Sequence, residues 1–131
     1  MNVAFFLTPK QSVVWVSARA TLADALDQMQ PHRHSAVPLL DDEGRYLGTL
    51  TEGDLLWHLR QSERPWSEVA ETTFVSEIAR WMKNEPIHVD AEMETLLARA
   101  AMQSFVPVVD DRNVFVGIVR RKTIIEYWAK K

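Results

Sequence analysis

The stretch GTLTEGDLLWHL, Gly48 to Leu59, is matched near the C-terminus by GIVRRKTIIEYW, Gly117 to Trp128. Both open on a glycine, run through apolar residues and pass into a tail of helical character. They differ where chemistry is possible: Thr51 and Asp54 in the first copy, Arg120 and Thr123 in the second. Working outward, an offset of 69 also pairs Asp41 with Asp110, Asp42 with Asp111, Pro38 with Pro107 and Val37 with Val106. Further upstream the offset becomes 73, pairing Met29 with Met102, Ala25 with Ala98, Ala18 with Ala91 and Val16 with Val89. The two offsets differ by four residues, close to one helical turn. So ordered a set with a single gap is an internal repeat, and a repeat decides architecture before any one element does.

Each copy reads as the same series of elements. Short apolar runs, Val13–Val16 and Ile87–Val89, predict a first strand. SARATLADALDQM and DAEMETLLARAAM then predict helices, with Ser17 or Thr21 as N-cap in one and Asp90 in the other. Ala25, Leu26 and Met29 share one face at helical spacing, as do Leu97, Ala98 and Ala101. The strands SAVPLLD and FVPVVD follow, closed by the turns DDEGR and DDRN, and YLGTL and VFVGIV complete two hairpins. A closing helix ends each copy, giving β-α-β-β-α twice, with the first strand reaching its sheet by a helical crossover. The boundaries are repeat 1 at 1–62, a connecting segment at 63–75 and repeat 2 at 76–131. Pro65 interrupts any single helix in the connection, and a short helix is expected around Ser76–Met82.

Composition narrows the function classes. The 131 residues carry a net charge of −3, so acids slightly outnumber bases and a basic nucleic-acid face is not expected. With no cysteine, disulfides, thiolate zinc sites and cysteine nucleophiles are excluded. The apolar N-terminus, MNVAFFLTPKQSVVWV, is broken early by Pro9, Lys10 and Gln11 and lacks a signal-peptide core. A soluble cytoplasmic protein without membrane contact is the expectation.

Thr51 and Asp54 stand at a strand-to-helix junction, where free N–H groups and a partial positive charge favour anions. A hydroxyl there can hold a phosphate, and a carboxylate can accept both hydroxyls of a ribose. The same pair can also simply cap the helix and complement its dipole. Residues alone do not choose between these roles.

The apolar–Pro–apolar strand, the Asp-rich turn and the pattern Gly48, Thr51, Asp54 closely resemble the CBS domain, named for cystathionine β-synthase, and two in tandem resemble a Bateman module. The resemblance covers essentially the entire chain, so an attached enzyme is not expected. It implies an α/β (α+β) fold of two pseudo-symmetric CBS repeats packed into one module. It also implies that Thr51 and Asp54 meet phosphate and ribose, that adenine lies near Ala36, Val37 and Pro38, and that the strip from Thr8 through Lys10 to Val13 offers backbone hydrogen bonds to the base. The second copy departs from the pattern at Arg120 and Thr123, and should hold adenosine poorly. Its three cations, Arg120, Arg121 and Lys122, are instead candidates for phosphate contacts across a central cleft that both motifs would share. AMP, ADP, ATP, S-adenosylmethionine and cyclic di-AMP are the ligands implied. A homodimer through the helices bearing Trp57 and Trp128, and an unknown effector protein as listener, are the implied partners. The alternative is a dimeric protein-interaction adaptor that has lost its ligand.

Other features point away from catalysis. No G-x-S-x-G elbow or Gly-Lys-Ser/Thr phosphate loop occurs, and no base stands beside Thr51 or Asp54, so no catalytic residue is assigned. His32 and His34, at i and i+2, do not share a helix face, so no metal ligand or required cofactor is assigned either; Arg33 and His34 are placed at the cleft rim.

Overall fold

The computed structural model describes residues 1–130, in two compact units. One runs from Val14 to Lys83; the other joins Met1–Val13 to the chain from Asn84 onward. The architecture is mixed α+β, with six α-helices and two sheets among the described residues.

In the Val14–Lys83 unit, β2 (Val16–Ser17) lies parallel to β3 (Ala36–Leu40), which pairs antiparallel with β4 (Tyr46–Thr51). The crossover helix α2 (Leu22–Met29) starts at a capping box: Thr21 accepts from the Asp24 N–H while Asp24 accepts from the Thr21 N–H. Helices α3 (Glu52–Gln61) and α4 (Trp66–Thr72) follow. Leu22, Ala25, Met29, Val37, Leu39, Leu50 and Leu55 form the centre of its core. Each large side chain so buried contributes about 1.5–3 kcal/mol.

The other unit begins with α1 (Val3–Phe6) and β1 (Thr8–Pro9), then continues with β5 (Ile87–His88), α5 (Met93–Met102), β6 (Phe105–Val109), β7 (Phe115–Arg120) and α6 (Arg121–Ala129). Its sheet runs β1-β7-β6-β5, so a strand from the N-terminus covers the edge of the second hairpin. Val3 and Phe6 of α1 pack with Leu96, Ala100, Val106 and Ile124.

Both hairpins use the same devices. Pro38 and Pro107 sit in middle strands, but β2 and β5 pair only with the two residues after each proline, so the missing N–H forfeits no bond on that side. Each turn is organised by an aspartate. Asp41 accepts the Glu43 and Arg45 N–H groups at 2.9 and 2.8 Å; Asp110 accepts those of Arg112 and Val114 at 2.8 and 2.9 Å. The Arg45 N–H bond chiefly holds the Asp41 carboxyl below its ordinary range, and the Val114 N–H bond does so for Asp110.

Several sequence expectations are corrected. The helix expected over Ser76–Met82 is a single 3-10 turn at Val75–Glu77, followed by irregular chain. The connecting helix is α4 instead, and Pro65 stands at its N-cap, where a missing N–H is harmless. Of the two N-caps expected for α2, Thr21 is the one used, whereas α5 is preceded by Glu92 and not Asp90, whose N–H bonds back to His88. The buried stripe of α5 is therefore Leu96 and Ala100, while Leu97, Ala98 and Ala101 face outward; Leu26 of α2 is exposed as well. Adjacent apolar residues make either stripe possible in sequence, and packing against the sheet selects one. The first strands are also shorter than the apolar runs, two residues each. No helix among the described residues is long and apolar enough to cross a membrane.

Gly48 and Gly117 occupy equivalent places with φ of +155° and +158°. A Cβ at Gly117 would run into the Thr8 carbonyl oxygen, a backbone atom, whereas one at Gly48 would meet the movable Arg80 guanidinium, 2.9 Å from its Nε. Gly117→Ala should therefore cost about 2 kcal/mol more than Gly48→Ala in urea unfolding, since only Arg80 can swing aside. Equal costs would contradict this packing. The aspartate turns give a second expectation. Their folded pKa values are depressed, so their stabilisation is complete above the ordinary value of 3.8 and is lost as pH falls through the lower folded values. The urea midpoint should drop as pH falls below about 4, and Asp41→Asn with Asp110→Asn should flatten that fall.

Candidate functional site

The first copy of the motif lies at the β4–α3 junction. Ser35, just before β3, accepts the Glu52 N–H at 2.9 Å, tying the start of α3 to the start of the hairpin. Thr51 is the N-cap, extended at φ −111° and ψ 156°, and its hydroxyl accepts the Asp54 N–H at 3.0 Å. Asp54 returns the bond, its Oδ2 accepting the Thr51 N–H at 2.9 Å. The capping role is thus present in full.

Asp54 does more than cap. Its Oδ1 accepts the Trp81 N–H at 3.0 Å, from a residue 27 positions away. The residue is 6% exposed, low for a carboxylate, and both oxygens are engaged by backbone donors. Each oxygen keeps a second acceptor site. Asp54 also lines a recess of about 220 Å³ with Trp57, His58, Gln61, Arg80 and Trp81. The carboxylate can serve a sugar, the two indoles a base, and the guanidinium a phosphate.

The structure sorts the other sequence candidates. Ala36 lies opposite Thr51 in the hairpin register, so these two are brought together. Val37 is 1% exposed and packs in the core, and Pro38 is buried, so neither presents a side-chain surface. Thr8, Lys10 and Val13 belong to the unit that holds the second motif; Thr8 pairs with Ile118 and accepts a hydrogen bond from Arg120 Nη1 at 3.3 Å. Within the Asp54 unit, the segment beside the motif is Ile78–Trp81. Trp57, His58, Arg80 and Trp81 escaped the sequence reading as site residues, although the offset of 73 carries Thr8 onto Trp81 and could have indicated the segment.

The second motif has no side-chain cap at Arg120. The three cations of this run diverge. Arg120 turns to Thr8, Arg121 Nε donates to the Ala100 carbonyl in the last turn of α5 at 2.6 Å, and Lys122 is exposed. Arg121 thereby serves an orphan carbonyl at a helix end. Arg33 and His34 line a separate recess of about 360 Å³ with Leu26, Met29 and Glu52, Arg33 adopting a left-handed φ of 51°. Among the described residues no group of three His, Asp or Glu converges as a metal site.

The sequence matches the CBS domain family twice, over residues 6–61 and 75–130, and the chain belongs to that family. No curated protein sequence matches it. Among solved structures it resembles a hypothetical conserved protein of Geobacillus kaustophilus, at 25% identity and a TM-score of 0.86 over 99% of this chain and 97% of that one. CbpB from Streptococcus agalactiae is similar at 25% identity and a TM-score of 0.81, over 95% and 78% of the two chains. CbpB of Listeria monocytogenes, solved in complex with cyclic di-AMP, shares 22% identity and a TM-score of 0.83 over 98% and 95%.

Removing the Asp54 side chain leaves two backbone donors without their acceptor. Asp54→Ala is expected to destabilise by roughly 2–4 kcal/mol in denaturant unfolding, and Thr51→Ala by about 1 kcal/mol. A smaller loss for Asp54→Ala than for Thr51→Ala would show that the Trp81 bond contributes nothing.

Proposed function

We propose that this chain is a regulatory CBS-pair module that binds an adenine nucleotide at the Asp54 recess and passes its occupancy to a partner protein. The observation that carries the reading is the Asp54 carboxylate in the wall of a recess shared with Trp57, Arg80 and Trp81. A ribose cis-diol is a double donor that suits a carboxylate, a purine suits an indole face, and a phosphate suits Arg80. Cyclic di-AMP bound to CbpB, a protein of the same fold, supports the ligand class. The second motif offers Thr123 where Asp54 stands in the first, and a threonine cannot replace the double acceptor. One adenosine per chain follows.

The second reading, a ligand-free adaptor, draws support from the engagement of both Asp54 oxygens and from the outward indoles. Trp57 is 61% exposed and Trp128 43%, with Leu56 and Ile125 beside them. These helix faces are the surfaces through which a homodimer would form under either reading.

A thermal-shift screen with AMP, ADP, ATP, S-adenosylmethionine and cyclic di-AMP separates the two. A nucleotide at twentyfold excess over its Kd adds about 1.8 kcal/mol, through RT ln(1 + [L]/Kd), and raises Tm measurably. A flat response to all five rejects the sensor and leaves the adaptor.

A further inference from the structure

Asp54 joins two places of very different character. Its bond to the Thr51 N–H is local to the start of α3. Its bond to the Trp81 N–H reaches into an irregular stretch, 79–86, that carries neither helix nor strand. Residues 79–83 are all exposed, Trp81 by 91%, so little apolar burial holds this stretch down. Over 79–83 the other polar tie is Arg80 Nη2 to the Leu47 carbonyl, at 3.5 Å the outer limit of a hydrogen bond, whereas Glu85 and Pro86 further on are held by Gln103 and Arg99. The charge-assisted bond to Asp54 is therefore the main polar restraint on residues 79–83.

We propose that the Trp81–Asp54 hydrogen bond is a latch that nucleotide binding opens. The inference rests on the nucleotide reading for the displacing group, a ribose cis-diol. A diol that donates to both carboxylate oxygens must approach an Asp54 that is 6% exposed and already serves two N–H groups. Oδ2 is committed to the helix cap. Oδ1 keeps a second acceptor site, but with Asp54 6% exposed and Trp81 in the recess wall, the diol reaches Oδ1 only as the Trp81 N–H moves away. Released, the stretch loses its main restraint as far as Lys83, where this unit ends and the chain passes to the other. Occupancy is thereby converted into mobility at the connection between the units, and the ligand shifts that equilibrium by its preference for the open latch.

Residue-resolved amide hydrogen exchange on the full chain tests both parts. Without ligand, Asp54→Ala should accelerate exchange at the Trp81 amide by roughly tenfold to a hundredfold, as expected for loss of a hydrogen bond to a charged group. Asp54→Asn, which keeps the shape, should act in the same direction but less, and Thr51→Ala should leave Trp81 unaffected. The nucleotide giving the largest thermal shift, added at saturation to the wild type, should accelerate Trp81 as Asp54→Ala does. Unchanged Trp81 exchange in both Asp54 variants overturns the latch. Calorimetric binding of the nucleotide with Trp81 still protected overturns its opening by ligand. Absence of binding by all five nucleotides rejects the nucleotide reading and the switch with it, while the variants still report whether the restraint exists.

Discussion

A glycine in the second strand of each hairpin lets chain from far away in the sequence lie against it, and both the fold and the site depend on that close approach. At Gly117 the visitor is Thr8 and Pro9, which extend the sheet as β1. At Gly48 it is Arg80, whose guanidinium lies where a side chain would otherwise stand. With Arg80 in that position, the next residue delivers its N–H to Asp54. The hairpins are equivalent; their visitors are not, and much of the difference between the two units follows from this.

The asymmetry extends to the motifs. In the first, Thr51 and Asp54 cap a helix and hold a distant backbone donor with one carboxylate. In the second, Arg120 and Arg121 replace that economy with separate bonds to Thr8 and to the end of α5. A carboxylate that satisfies backbone donors is poised to trade one for a ligand's donor, because the exchange conserves hydrogen bonds. A guanidinium has donors only, so Arg120 and Arg121 cannot accept from a diol as a carboxylate does.

Burial of Asp54 bears on both functional readings. A side chain serving only as a cap could remain at the surface, as Asp24 does in the capping box of α2. Asp54 has been drawn under the Trp81 segment, in the wall of a recess bordered by exposed indoles. A scaffold gains rigidity from this arrangement. A sensor gains a restraint whose release can be felt elsewhere, and the low exposure makes the restraint and the binding event compete for one atom.

The sequence by itself determined the repeat, the order of the elements, the hairpins and the turn aspartates. Each rests on local chemistry: proline and glycine positions, apolar alternation, and carboxylates that bond N–H groups two and four residues on. It also marked Thr51 and Asp54 as the residues to watch. Only the tertiary structure decided which of two adjacent leucines on α5 turns inward, that Pro65 begins a helix, and that the helix expected over Ser76–Met82 is largely irregular chain. It alone decided that Thr8 belongs with Arg120 and Trp81 with Asp54. Those outcomes depend on contacts between residues 27 and 112 positions apart, and no local propensity encodes which distant strand edge a short segment will find.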